Sequence, residues 1–205
     1  MRRLRVALTG SIGAGKTEAL KAFAAAGAET HSADAVAHDL AAPGGPVHRS
    51  VVRAFGRGVL AADGSLDRRR LGELVFKDAA ARRRLERASH PHIERELKRR
   101  AARGRRPVVV VDVPLLFEKG LERRFDLTVC VTAPEPRRLS RVVRRDGLSR
   151  AEARRRARAQ WPEARKARRA DVILFNAGSR AALRRAAGQY QRAFALIAAG
   201  LGGSR

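Results

Sequence analysis

Leu8-Thr9-Gly10-Ser11-Ile12-Gly13-Ala14-Gly15-Lys16-Thr17 decides how this chain is read. Gly10 to Thr17 fits G-x-x-x-x-G-K-[ST], the pattern of a phosphate-binding loop, or P-loop. The apolar run Leu4-Arg5-Val6-Ala7-Leu8 ahead of it predicts a short buried strand. Ala19-Leu20-Lys21-Ala22-Phe23-Ala24 behind it predicts a helix closed by Gly27. Strand, glycine loop and helix, in that order, are the context in which the pattern carries meaning; without it a glycine-rich turn with no ligand would read the same. Glycine lets the backbone take φ > 0 and approach a phosphate closely. Successive N–H groups then turn inward as an anion nest, and the helix N-terminus adds unpaired donors and the positive end of its dipole. Gly10, Gly13, Ala14 and Gly15 would form that cradle. Lys16 would reach the β- and γ-phosphates, and the Thr17 hydroxyl would ligate Mg²⁺. The expected ligand is a nucleoside triphosphate.

With 205 residues the chain is expected to be one domain, or one core with insertions, and long enough for a proper hydrophobic interior. No apolar stretch approaches the roughly 20 residues of a membrane span. Met1-Arg2-Arg3-Leu4 leads straight into the glycine loop, without the apolar region of a signal peptide. The single cysteine, Cys130, lies in an apolar run and reads as a buried core residue. A cytoplasmic protein, monomeric or weakly self-associating, is the simplest expectation. The formal charge of +25 raises the question of nucleic acid. All but six of the 45 basic residues are arginine, however, spread over many short clusters rather than one stripe. That is the pattern of a solvated surface, and no specific nucleic-acid partner is expected. A nucleotide-regulated RNA-binding protein would need stacking aromatics among its basic residues. Here there are only Trp161, Tyr190 and seven phenylalanines that mostly sit in apolar patterns, and aromatics are 4% of the chain.

Four further segments have the continuous apolar character of strands buried on both faces. They are the weak Ala28 to Ser32, the strong Val108 to Val113 after Pro107, Leu127 to Val131, and Val172 to Phe175. Helical patterns lie between them, so the expectation is an α/β protein with a five-stranded parallel sheet, the three-layer P-loop NTPase fold. About 75 residues between the second and third strands show no strand signal, too many for a simple crossover. They hold Pro43-Gly44-Gly45-Pro46, a turn at Ala62-Asp63-Gly64-Ser65, an apolar face of Leu71, Leu74 and Val75, and Ile93 and Leu97 four apart. Residues 35–105 are therefore expected to be a helical insertion that closes over a second substrate. Residues 137–165 form a second, arginine-rich insertion in which Ser149-Arg150-Ala151-Glu152 fits a capping box. In a phosphotransferase such a segment would be a lid, its planar guanidinium forks binding phosphate oxygens. Arg141 and Arg145, four apart on one helical face, are its best candidates for phosphate contact. The last helix is expected to face the core with Leu183, Ala187, Tyr190, Phe194 and Ile197, and the tail Gly202 to Arg205 to fray.

The order of these pieces resembles the dephospho-CoA kinase family over nearly the whole chain. After the loop come Ser32-Ala33-Asp34-Ala35-Val36-Ala37-His38, Ala62 to Arg68, His90-Pro91, Val113-Pro114-Leu115-Leu116-Phe117-Glu118, Arg144-Arg145-Asp146, Gln160 to Pro162, and Ala170-Asp171-Val172-Ile173 to Asn176. The loop alone is generic to kinases and ATPases; Val113 to Glu118 at this distance behind it is much more specific. The resemblance implies transfer of a phosphoryl group from ATP, with Mg²⁺, to the 3′-hydroxyl of dephospho-CoA. It also implies a P-loop core, a helical CoA-binding part and a lid. The family usually carries Asp-Ala-Asp where this chain has Ser32-Ala33-Asp34, and a threonine where it has Glu18. A P-loop kinase acting on a nucleoside monophosphate is the nearest rival.

Asp34 would orient the acceptor hydroxyl and take its proton; its other reading is a helix N-cap ahead of Ala35. Asp112, ending the third strand, would help hold Mg²⁺, or would serve only as a structural carboxylate. Lys16 and Arg145 would neutralise charge on the transferring group. Glu118 and His90 enter from the resemblance alone, and His90 before Pro91 also fits a simple turn.

Overall fold

The computed structural model describes residues 3–201; the tail from Gly202 lies outside them. The chain divides into two compact units, residues 32–104 and the remainder.

The larger unit is built on a five-stranded parallel sheet of order β2-β3-β1-β4-β5. Its strands are β1 (Leu4–Thr9), β2 (Glu29–Ser32), β3 (Val108–Asp112), β4 (Leu127–Thr132) and β5 (Val172–Phe175). β1 pairs in parallel with β3, Leu8 opposite Asp112, and with β4, Thr9 opposite Cys130. Every residue of β3 is buried, which accounts for the four consecutive valines. On one face, Leu4, Val6, Leu8, Val108, Val110, Val129, Val131 and Leu174 meet α1 (Lys16–Ala25) and α9 (Arg180–Gly200). Phe23 of α1 stacks on Phe194 of α9 with ring centroids 6.1 Å apart. Both rings are at least 98% buried, and each stabilises the unit by roughly 1.5–3 kcal/mol.

Two expectations change here. The core stripe of α9 is Leu183, Ala187, Gln191, Phe194 and Ala198, while Ile197 is 45% exposed. Tyr190 lies beside the stripe and donates its hydroxyl to the Ile173 carbonyl at 3.3 Å. Nor is the edge strand β5 buried on both faces: Leu174 is, but Ile173 and Phe175 point outward and are exposed. The remaining helices are α6 (Glu135–Asp146), α7 (Arg150–Arg158) and α8 (Glu163–Arg169). Gly147 ends α6 in the left-handed conformation (φ 65°), and the Ser149–Glu152 capping box starts α7.

The smaller unit comprises α2 (Ala33–Leu40), α3 (Pro46–Phe55), α4 (Arg68–Lys77) and the 25-residue α5 (Ala79–Arg103). Asp67 and Asp78 cap α4 and α5 by accepting the backbone N–H of Arg70 and Ala80. A small core of Val47, Val51, Val59 and Leu71 joins the helices. Leu71 is buried in it as expected, whereas Leu74 is 42% exposed. The turn at Ala62–Ser65 is present, with Leu60 bridging Leu66 across it and Asp63 accepting from Ser65. His90 and Pro91 are not a turn. Both lie inside α5, which packs along α2, α3 and α4. That packing outweighs the one helical hydrogen bond a proline removes.

Candidate active site

Between β1 and α1 the backbone takes positive φ at Gly10 (149°), Gly13 (76°) and Gly15 (100°). At all three the need for glycine is twofold: a Cβ on Gly10 would run into the Val131 carbonyl. A Cβ on Gly13 would run into the Arg138 carbonyl of α6, and one on Gly15 into the side-chain amide of Asn176. Gly15 is the N-cap of α1 and offers no side-chain cap, and the N-terminus of a helix is where backbone N–H groups and the helix dipole favour an anion. Lys16 donates to the Gly10 carbonyl at 3.1 Å, folding its ammonium back over the loop. Ala14 is buried, and Thr17 is exposed on the first turn of the helix. Asp112 ends β3 beside Leu8, and the N–H of Val113 bonds to the Leu8 carbonyl at 2.8 Å. The C-terminal ends of β1 and β3 therefore present the loop and the Asp112 carboxylate at the same edge of the sheet. Ligands of open α/β sheets bind at that edge.

Arg141 of α6 reaches this loop. One guanidinium nitrogen donates to the carbonyls of Gly13 (3.2 Å) and Ala14 (3.3 Å), the other to the Asn176 carbonyl (3.3 Å). Asn176, just past β5 and 93% buried, donates its amide to the Ala14 carbonyl at 2.8 Å. Arg141 and Asn176 thus satisfy the carbonyls of Gly13 and Ala14 from outside the loop. Arg145, one turn further along α6, is instead held by its neighbour. It makes a bidentate pair with Asp146 at 2.6 and 3.0 Å, and this hydrogen bonding raises the pKa of the Arg145 guanidinium. Arg138, despite its charge, is buried and pairs with Glu163 at 3.2 Å. Burial raises the pKa of Glu163 even so.

Asp34 lies in the smaller unit, in the first turn of α2. The cap of that helix is Ser32, whose hydroxyl accepts the Ala35 N–H at 3.3 Å. Asp34 is thereby relieved of the capping role its position allows, and its carboxylate is exposed. It lines an open groove of about 980 Å³ formed by residues of this unit. Val47, Val51, Leu66, Leu71, Val75, Leu85 and Ile93 make the wall largely apolar, with Asp34, His38, Asp39, Ser65, Arg68 and Ser89 as its polar groups. Arg68 is hydrogen-bonded to the His38 imidazole, and Arg100 of α5 holds Asp39 of α2 at 3.0 Å. An apolar wall with a few polar groups is what a medium-sized organic ligand requires.

Cys130 is no candidate nucleophile, because burial pushes its thiol up to about 12. Glu18, in the first turn of α1, lies 3.7 Å from Lys21 and 4.0 Å from Arg180, in a small cleft with Arg184. Glu118, flagged by its motif, forms a buried pair with Lys166 at 2.6 Å. Sequence reading did not find the roles of Asn176, Gln160 or Arg68, although each lies in a quoted motif. Their partners are far away in the chain.

The family model for dephospho-CoA kinase matches residues 4–182. A dephospho-CoA kinase of Symbiobacterium thermophilum is 43% identical over 201 residues, covering 97% of this chain and 83% of that protein. The crystal structure of a Thermus thermophilus protein superposes with a TM-score of 0.84 at 36% identity, covering 94% of this chain and 98% of that one. Dephospho-CoA kinase from Campylobacter jejuni superposes with a TM-score of 0.66 at 26% identity, covering 93% and 96%.

Proposed function

We propose that this chain, which belongs to the dephospho-CoA kinase family, is an ATP-dependent transferase that phosphorylates the 3′-hydroxyl of dephospho-CoA, and that Asp34 orients that hydroxyl and accepts its proton. A ribose hydroxyl is a poor nucleophile. It must be aligned with the γ-phosphate and relieved of its proton while the developing charge is neutralised. The observation that carries the assignment is the exposed Asp34 carboxylate on the wall of the apolar groove, freed from capping by Ser32. The first carboxylate of the family's usual Asp-Ala-Asp is replaced here by Ser32, so Asp34 is the acid that remains for the task.

The other roles follow the geometry. Gly10, Gly13, Ala14, Gly15, Lys16 and Thr17 would hold the triphosphate, with Lys16 neutralising charge on the β- and γ-phosphates. Arg141 braces the loop from behind. Arg145 would contribute positive charge to a phosphate by exchanging Asp146 for it, within a lid formed by residues 137–165. The groove of the 32–104 unit would take the apolar arm of dephospho-CoA, with Arg68 placed for a phosphate.

Thr17 and Asp112 are hard oxygen donors, and among the described residues no group of three or more His, Cys, Asp or Glu could hold a metal alone. That donor set suits Mg²⁺, which takes one or two protein oxygens and completes its shell with water and substrate phosphates. When bound there it would neutralise negative charge on the nucleotide. No helix among the described residues is long and apolar enough to cross a membrane. The reaction is assigned to the cytoplasm, where this family serves coenzyme A synthesis, and it calls for no nucleic-acid partner.

Asp34→Asn tests the central assignment. The variant should bind ATP within about two-fold of the parent and lose turnover by about 10²–10⁴-fold, the range for removal of a general base. Turnover within three-fold of the parent would remove Asp34 from the chemistry.

A further inference from the structure

Between α7 and α8 runs Gln160-Trp161-Pro162, a stretch without regular structure that touches two distant parts of the larger unit. The Gln160 side-chain oxygen accepts the backbone N–H of Ile12, in the middle of the P-loop, at 2.8 Å. The backbone N–H of Trp161 donates to Glu118 at 3.1 Å. Glu118 in turn is paired with the wholly buried Lys166, whose ammonium also donates to the Pro114 carbonyl at 3.3 Å. Residues 160–166 therefore form a strap. One end is fixed to the loop that follows Asp112, and the other holds the P-loop by a single amide oxygen.

Ile12 is gripped twice. Its side chain packs against the cluster of Leu139, Val142 and Ala153 that joins α6 to α7. Its N–H lies in the half of the loop that Arg141 and Asn176 do not reach, since those residues hold the carbonyls of Gly13 and Ala14. A glycine-rich loop loses much conformational freedom when it is ordered. Each contact that orders it beforehand lowers the entropic cost left for the ligand to meet.

We propose that Gln160 is a positioning residue for the nucleotide: by holding the Ile12 N–H it keeps the amino-terminal half of the P-loop in its open, phosphate-ready shape. The role is exerted through the loop and not by contact with substrate. It rests on the reading of Gly10–Thr17 as the ATP site. It also limits how far residues 137–165 can move as a lid: α6, Ile12 and Gln160 stay with the P-loop, and only parts outside those contacts are free to swing.

The test compares Gln160→Met, which keeps length and removes the acceptor, with Gln160→Glu, which keeps an acceptor oxygen at the same reach. Steady-state kinetics with ATP and dephospho-CoA are measured for both, alongside melting temperature. Gln160→Met should raise KM for ATP by about ten-fold, the weight of one part-buried hydrogen bond. KM for dephospho-CoA and kcat should stay within about two-fold, and Gln160→Glu should recover most of the ATP effect. An unchanged KM for ATP in a folded Gln160→Met would overturn the proposal. So would an equal loss in every parameter that Gln160→Glu does not rescue, since that marks a merely structural residue. If Gln160→Met does not fold, Gln160→Asn, whose shorter amide cannot span the gap, takes its place with the same criteria. Lys16→Ala separates the two levels of the argument. Full activity in that variant would refute the ATP site itself, whereas dead Lys16→Ala beside an indifferent Gln160→Met would refute the strap alone.

Discussion

Lys166 is the strongest test of how the larger unit is held together. Its side chain is 0% exposed, and its ammonium meets Glu118, whose side chain is 13% exposed, at 2.6 Å. Two charges this far from water are tolerable only as a pair. Lys166→Met keeps the length of the chain and removes the charge. It leaves Glu118 largely buried, with the backbone N–H of Trp161 still donating to it. Breaking a buried pair from one side costs about 3–5 kcal/mol. At about 2–4 °C per kcal/mol for a chain of this size, the melting temperature should fall by roughly 6–20 °C. Glu118→Gln should cost a similar amount, because it strands the ammonium instead. The double variant Lys166→Met/Glu118→Gln removes both charges and should be less destabilised than either single one. Urea unfolding followed through Trp161, the only tryptophan, reads all four proteins in the neighbourhood of the change. A loss below about 1 kcal/mol in Lys166→Met, or a double variant that costs the sum of the singles, would refute the reasoning.

Glu18 places a negative charge in the first turn of the helix that receives the nucleotide, where Lys21 and Arg180 only partly offset it. Glu18→Thr should lower KM for ATP about 2–5-fold, since a unit charge at about 7 Å in water is worth roughly 0.6 kcal/mol per phosphate charge. An unchanged KM would show that Glu18 and the phosphates do not sense each other. Burial raises the Cys130 thiol from its ordinary value near 9 to about 12. A raised thiol keeps its proton in the folded state while the unfolded chain loses it, so stability is fully present below about pH 9 and falls towards pH 12. The slope is about 1.4 kcal/mol per pH unit. Urea unfolding of the parent and of Cys130→Ala across that range should differ by this slope. Parallel pH profiles would contradict it.

β1, β3 and β4 were legible because strands buried on both faces of a parallel sheet show as apolar runs, whereas β2, Glu29-Thr30-His31-Ser32, is only half-buried and gives little apolar signal. The open face of β5 was not legible, since nothing in Val172-Ile173-Leu174-Phe175 records that its second face lacks a cover. The stripe on α9 erred for a related reason. Buried Gln191 and exposed Ile197 reverse the polarity that periodicity assumes, and Ala198 closes the turn instead. His90-Pro91 reads locally as a break, and packing of α5 against three other helices overrides it. In the candidate site the P-loop was legible because its chemistry is contiguous. The clamp of Asn176 on Ala14 joins residues 162 apart, and that of Gln160 on Ile12 residues 148 apart. No spacing rule connects such pairs. Between Ser32 and Asp34, both able to cap a helix, the choice depends on where β2 ends, which a weak strand signal does not fix.

The most direct test of the account is an ADP-release assay with Mg-ATP, offering dephospho-CoA, AMP, CMP and adenosine in turn, with Lys16→Ala as the blank. Turnover with dephospho-CoA alone, abolished in Lys16→Ala, is the predicted result. Turnover with a monophosphate and none with dephospho-CoA would contradict it.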